Sequence, residues 1–166
     1  MPVPSRNTPT GATTGGFSAG TRIAVPGGTQ AVEDIAVGDL VETLDHGPQP
    51  VRFIRTQDLA CTVRVTSGAL GTLRDLVLAP HHRVLISDWR AELWTGCDEV
   101  LIAVRDLVDG AAVQWVTGTP VPVIHFGFDG HQIILADGCA SESCARDAGA
   151  ARAIAGPAEV ACLLAA

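Results

Sequence analysis

The sequence predicts an all-β protein, because short segments of alternating apolar and polar residues recur along the chain with turn residues between them. A second indication is the step Asp129-Gly130 between the segments Val121–Phe128 and His131–Ala136, since Asp-Gly is the strongest two-residue hairpin signal. We therefore expect these two segments to pair as antiparallel strands. The other predicted strands are Thr21–Val25, Leu40–Thr43, Pro50–Arg55, Cys61–Thr66, Leu76–Leu78, Arg83–Ile86 and Glu99–Val104.

The domain organisation follows from length and composition. The 166 residues fit one domain, and 47% apolar residues suffice to bury a core without disulfides or metal. Residues 1–15 contain three prolines and little that could pack, which predicts a flexible leader. Residues 16–143 form the predicted domain. Residues 144–166 are Ala-rich, which favours a short helical C-terminal tail interrupted at Gly156-Pro157.

Charge excludes two classes of partner. The net charge is −7, all eleven cationic residues are Arg, and no basic cluster occurs, so we expect neither nucleic acid nor a membrane surface as partner. No apolar run approaches the roughly 20 residues that cross a bilayer, and no hydrophobic segment near residue 1 has the form of a secretory signal. We expect a soluble domain and leave its compartment open.

The cysteines indicate no covalent framework. The odd number of five, without a Cys-x-x-Cys pair, favours reduced thiols over disulfides or a zinc site, and we expect no cofactor. A metal site remains an alternative that would need three or four ligands to converge, although nothing in the spacing demands it. The cysteines are Cys61, Cys97, Cys139, Cys144 and Cys162. The candidate ligands are His81, His82, His125, His131 and Cys139.

The stretch Gly16–Val41 predicts a short strand, a tight turn, a second strand, one helical turn and a third strand. Pro26-Gly27-Gly28 interrupts the first strand, and Gly38-Asp39 ends the helical turn. Together with the following Thr43–Ile54, this order resembles the Hint domains of the hedgehog and intein superfamily, especially the bacterial hedgehog/intein-like group. The resemblance implies a horseshoe-like β fold with pseudo-twofold symmetry.

The resemblance also implies autoprocessing, in which a domain cleaves or splices its own chain. Hint domains begin with a Cys whose thiolate attacks the carbonyl before it and converts a peptide bond to a thioester. In this chain Gly16 occupies that position, and glycine has no side chain to supply a nucleophile. Ser18 lies two residues further on and would face a different peptide bond. Gly16 therefore predicts a domain that has lost self-cleavage.

The second stretch that carries chemistry is Ala79-Pro80-His81-His82. It resembles a superfamily block in which a Thr or Ser stands three residues before a His. The resemblance implies that His82 polarises the scissile amide or protonates its leaving nitrogen, while Ala79 lacks the hydroxyl. Without the resemblance, a His pair after Pro is more simply a structural pair that caps a strand or binds a carbonyl.

The third stretch, His125–Gly138, resembles the last conserved block of the superfamily. By that match His131 is the turn histidine of the block, and Asp129 or His125 would orient a second imidazole. From the residues alone, Asp129 is a hairpin residue and His125 a half-buried core histidine. The resemblance implies that Gly16, His82 and His131 share one cleft.

Protein splicing also needs a terminal Asn, and the single Asn of this chain is Asn7. Glu142-Ser143 stand where the final His-Asn pair would be, so cleavage by Asn cyclisation is excluded. Two interpretations remain: an autoprocessing domain that has lost self-cleavage, or a non-catalytic interaction or structural module on the same fold, with a protein partner or fused domain. On the first, we expect Gly16→Cys to restore at least the first step and Ala79→Thr alone to do nothing.

Overall fold

The computed structural model describes residues 15–145, so residues 1–14 of the predicted leader and residues 146–166 of the predicted helical tail lie outside the described residues. Within this range the all-β prediction is confirmed, since strands dominate and only one short α-helix occurs. The elements are β1 (Phe17–Ser18), β2 (Arg22–Val25), β3 (Gly28–Ala31), β4 (Leu40–Thr43), β5 (Gly47–Pro50), β6 (Phe53–Val65), β7 (Leu76–Leu78), β8 (Arg83–Ile86), α1 (Trp89–Thr95), β9 (Val100–Ala103), β10 (Val113–Phe128), β11 (Ile133–Ala136), β12 (Cys139–Glu142) and β13 (Cys144–Ala145). Three short 3-10 helices cover Val32–Asp34, Ala69–Gly71 and Val104–Leu107.

The first sheet closes on itself around the start of the described chain. Its strand order is β1-β7-β6-β10-β13, and β1 pairs with β10 as well as with β7. The two long strands β6 and β10 are antiparallel over most of their length. Because β1 bridges β7 and β10, the residues just before Phe17 lie between the end of β7 and the interior of β10.

The second sheet has the order β3-β2-β11-β12-β8-β9, and β4 and β5 form a separate hairpin. Both large sheets contribute to one hydrophobic core. Phe17, Phe126 and Phe128 are its largest aromatic side chains, with centroid separations of 5.8 Å between Phe17 and Phe126 and 6.0 Å between Phe126 and Phe128. Aromatic pairs at such distances add stabilisation beyond the area they bury, which anchors β1 on β10.

The predicted hairpin between Val121–Phe128 and His131–Ala136 was wrong. β10 pairs with β6, β1 and β13, whereas β11 lies in the other sheet between β2 and β12. A type I′ turn needs positive φ at both central residues, and neither Asp129 nor Gly130 has it. The Asp137-Gly138 step does have it: Asp137 has φ +46° and Gly138 has φ +85°, and they join β11 to β12.

Most other strand predictions agree with the structure. Leu40–Thr43, Leu76–Leu78 and Arg83–Ile86 have the predicted bounds. Residues 53–55 and 61–65 of the predicted segments 50–55 and 61–66 belong to one 13-residue strand, β6, whereas Pro50 ends β5. The helix α1 was not predicted. No helix within residues 15–145 has the length and apolar character that would let it cross a membrane.

Candidate active site

Gly16 lies in the gap between the end of β7 and the middle of β10. Phe17 pairs with Leu78 on one side and with Ile124 on the other, which fixes the register of the residue before it. The amide of Ala79 donates a hydrogen bond to the Gly16 carbonyl at 3.0 Å. The Gly16 amide in turn donates to Nδ1 of His82 at 3.0 Å. Both backbone polar groups of Gly16 are therefore held.

His82 is a buried, neutral imidazole that binds the nitrogen of the Gly15–Gly16 peptide bond. Its ring packs edge-on against Phe17 with centroids 4.5 Å apart. Burial lowers the pKa of His82 to about 3, with smaller contributions from His125 and Arg83. Since Nδ1 accepts the Gly16 proton, the ring proton is on Nε2. That Nε2 has no hydrogen-bond partner within residues 15–145.

A second buried imidazole, His125, lies directly against Gly16. Because Phe17 pairs with Ile124 and Ser18 with Val123, the register places His125 opposite Gly16. An ideal Cβ on Gly16 would stand 3.0 Å from Nε2 of His125. Burial, and then the charge of Arg55, lower the pKa of His125 to about 4. Neither ring nitrogen has a hydrogen-bond partner in the described part of the chain.

The backbone at Gly15 and Gly16 fits around these two rings. Both residues have positive φ, +140° and +147°, which L side chains rarely adopt. An ideal Cβ on Gly15 would lie 2.6 Å from Nδ1 of His82, and one on Gly16 would lie 2.4 Å from Cγ1 of Val123. The absence of both side chains therefore lets the imidazoles approach the Gly15–Gly16 peptide closely.

The other predicted site residues have different neighbours. Nδ1 of His131 lies 3.2 Å from Oε1 of Glu142, whose other oxygen is 2.8 Å from Nε of Arg83. Asp129 pairs with Arg52 at 3.1 Å, and its side chain is 76% exposed. The structure thus brings Gly16 and His82 together, and the imidazole that faces position 16 is that of His125 rather than His131. Alternation along β10 was the available signal for His125, because Val123 and His125 share a face.

The candidate metal ligands do not form a cluster. Among residues 15–145, no group of three or more His, Cys, Asp and Glu side chains is placed to hold an ion. Burial raises the pKa of the Cys139 thiol to about 12, so this side chain stays protonated and is a poor nucleophile. Ala79 is buried and offers no hydroxyl. The site therefore binds an amide N–H and presents a second neutral imidazole, and position 16 itself supplies no nucleophile.

Comparison with solved structures finds the same fold in inteins and an intein-like domain. The MchDnaB-1 intein is 19% identical, with 77% of this chain and 99% of that chain covered and a TM-score of 0.54. A bacterial intein-like domain from Clostridium thermocellum is 16% identical, with 78% and 98% covered and a TM-score of 0.55. The TvoVMA intein is 11% identical, with 80% and 99% covered and a TM-score of 0.57.

At these identities the likeness shows the fold, and no curated protein matches the chain in sequence. Family membership rests on a separate finding. The sequence model of the Hint domain matches residues 15–148, which is most of the chain and includes Gly16, His82 and the whole of β10. The horseshoe-like β fold implied by the sequence motifs is thereby confirmed. The chain belongs to the Hint domain family.

Proposed function

We propose that this chain is an autoprocessing Hint domain, of the self-cleaving or splicing kind, that no longer cuts itself. The observation that carries the proposal is the 3.0 Å hydrogen bond from the Gly16 amide to Nδ1 of His82. It is the contact expected between a scissile peptide nitrogen and the histidine that acts on it. The residue at the reacting position is nevertheless a glycine, so the peptide bond is held and no side chain attacks it.

The first step of the family reaction shows which parts are retained. A thiolate sulfur bonds the carbonyl carbon of the preceding residue, the C–N bond breaks, and the released nitrogen takes up a proton. His82 binds that nitrogen in this chain. The neutral ring of His125, 3.0 Å from an ideal Cβ at position 16, is placed to accept the thiol proton. The atom that would form the new bond is missing, and so is the hydroxyl that Ala79 does not provide.

Neighbouring side chains do not replace the missing thiol. Cys139 is buried with a raised pKa of about 12, so its thiolate is not populated near neutral pH. Ser18 pairs with Val123, two register positions away from Gly16 and the His125 that faces it. Its hydroxyl therefore belongs to a peptide unit further along the strand. These two observations support an inert domain over one that uses a substitute nucleophile.

The proposal is tested by the intact mass of the purified chain. We expect the 17.2 kDa mass to persist after prolonged incubation with dithiothreitol or hydroxylamine, which cleave a thioester if one forms. The incubation is repeated at several pH values, because the protonation of imidazoles changes with pH. Loss of residues 1–15 from the unmodified chain would show that the domain still cleaves itself and would overturn the proposal.

A further inference from the structure

The space that a side chain at position 16 would occupy is filled. Val123 is fully buried on β10, on the same face as His125. An ideal Cβ on Gly16 would lie 2.4 Å from Cγ1 of Val123 and 2.9 Å from Cε1 of His125. Non-bonded carbon atoms prefer separations of about 3.5–4.0 Å, so a side chain here overlaps both neighbours.

Rotation of the Gly16 backbone relieves this overlap only at the cost of two hydrogen bonds. Gly16 has φ +147°, and its amide and carbonyl are bound by Nδ1 of His82 and by the Ala79 amide. Turning Gly16 toward a conformation that suits an L residue reorients these two groups and weakens the contact on which the site depends. The room must therefore come from a neighbouring side chain. Val123 is β-branched and stiff, so it does not swing aside as a long flexible side chain would.

From this geometry we infer that Val123 excludes a nucleophilic side chain from position 16. The inference rests on the proposed function and deepens it, because the loss of self-cleavage then has two separate causes. The thiol is absent, and the place for the thiol is occupied. Gly16→Cys alone leaves the chain intact, contrary to the expectation from the sequence. Gly16→Cys combined with Val123→Ala restores the first step.

The reaction to be detected is fully specified. The introduced thiol loses its proton to the neutral imidazole of His125, and its sulfur bonds the carbonyl carbon of Gly15. The bond between Gly15 and the nitrogen of residue 16 breaks, and that nitrogen takes up the proton that the thiol gave to His125. Hydroxylamine then attacks the thioester, leaves a hydroxamate on Gly15 and returns the thiol. Intact mass reports the loss of residues 1–15 directly.

The experiment compares three chains. We expect Gly16→Cys/Val123→Ala to release residues 1–15 with hydroxylamine at least about tenfold faster than Gly16→Cys does. A tenfold increase in rate needs only a small decrease in the activation free energy, which the relief of crowding supplies. The matched control is Gly16→Cys/Val113→Ala. Val113 is a buried valine at the other end of β10, so this variant loses the same methyl groups away from the site. It should cleave no faster than Gly16→Cys.

A second measurement tests the crowding without any chemistry. Gly16→Ala, Val123→Ala and the double variant are unfolded by heat and followed by circular dichroism. We expect Gly16→Ala to lower the unfolding midpoint, and Val123→Ala to remove most of that loss when the two are combined. Such coupling is the signature of two groups that compete for one space. When Gly16→Ala is combined with Val113→Ala instead, the two decreases in the unfolding midpoint should simply add.

The outcomes separate this inference from the proposed function. If Gly16→Cys cleaves as fast as the double variant, Val123 is no barrier, and the missing thiol alone explains inertness. If no folded variant cleaves but Gly16→Ala and Val123→Ala are coupled, the inference that Val123 crowds position 16 is supported. The proposal that His82 and His125 can still carry out the first step then fails. Absence of both cleavage and coupling overturns the inference.

Discussion

The environment of His82 and His125 differs sharply from that of His131, which follows His125 by six residues in the sequence. His131 meets the buried carboxylate of Glu142, which also binds Arg83. His82 has one bonded ring nitrogen and one without a partner in the described residues, and His125 has two without a partner there. One cluster satisfies its polar atoms within the fold, and the other does not.

The difference separates a stabilising cluster from a reactive one. A buried polar atom without a hydrogen bond costs about 1–3 kcal/mol, so a fold gains by avoiding it. Atoms of this kind recur at sites whose partner is a reacting group rather than a fixed neighbour. On this ground we assign the cluster of Glu142, Arg83 and His131 to stability and the His82–His125 pair to the proposed reaction site. The following substitutions test that assignment, because each is expected to raise or to lower the unfolding free energy.

The largest effect is expected at Glu142. Glu142→Ala leaves the Arg83 guanidinium, whose side chain is 13% exposed, without the carboxylate that now neutralises it. Loss of one partner from a buried ion pair costs about 3–5 kcal/mol of unfolding free energy. Urea denaturation followed by circular dichroism measures the change.

The control for Glu142 is the exposed pair of Arg52 and Asp129. Asp129→Ala should lower the unfolding free energy by no more than about 1 kcal/mol, because solvent screens the pair. An equal loss for Asp129→Ala and Glu142→Ala would contradict the distinction between buried and exposed pairs drawn from the structure.

The next largest effect is a change in the unfolding free energy, and it has opposite signs for substitutions of His125 and His131. His125→Leu removes two buried nitrogens that lack partners and should raise the unfolding free energy, by about 1–3 kcal/mol if the leucine packs well. His131→Leu removes a partner of the buried Glu142 and should lower it by a similar amount. Both variants are compared with the unmodified chain in the same urea titration. Destabilisation by both substitutions would show that His125 has a structural partner and is not a remnant of the reaction.

The sequence predicted the fold class and several strand bounds because these depend on local patterns. Leu40–Thr43 and Leu76–Leu78 alternate in burial along short segments with turns on either side, and that pattern survives in the structure. The pairing of strands does not depend on local patterns alone. The Asp129-Gly130 and Asp137-Gly138 steps have the same turn chemistry, and the long ladder between β6 and β10 decides which of them closes a hairpin.

The candidate site was predictable only where a motif marked it. His82 was identified by its spacing from Ala79, and its contact with Gly16 spans 66 positions of sequence. His125 carries no such mark, because only the register of β1 against β10 shows that it faces Gly16. His131 was proposed as the turn histidine of the third stretch by resemblance to the last conserved block, and that role stays a prediction.

The pH dependence of unfolding provides the finest test of the comparison. The pKa of His125 is lowered to about 4 and that of His82 to about 3, whereas the pKa of an imidazole in an unfolded chain is about 6.5. Below that value the unfolded chain binds protons that the folded chain does not. The cost of keeping these rings unprotonated in the folded chain is therefore absent above about pH 6.5, and it grows as the pH falls toward the folded pKa values.

His125→Leu removes one of these two contributions and leaves the other histidines in place. Between about pH 6 and 5, the unfolding free energy of the unmodified chain should fall more steeply than that of the variant, by about 1.4 kcal/mol per pH unit for one proton. The window lies above the range in which carboxylates with lowered pKa, such as that of Glu33, titrate. Urea titrations at three pH values give the two slopes. Parallel slopes would mean that His125 takes up its proton at the same pH in the folded and the unfolded chain, so that burial does not lower its pKa.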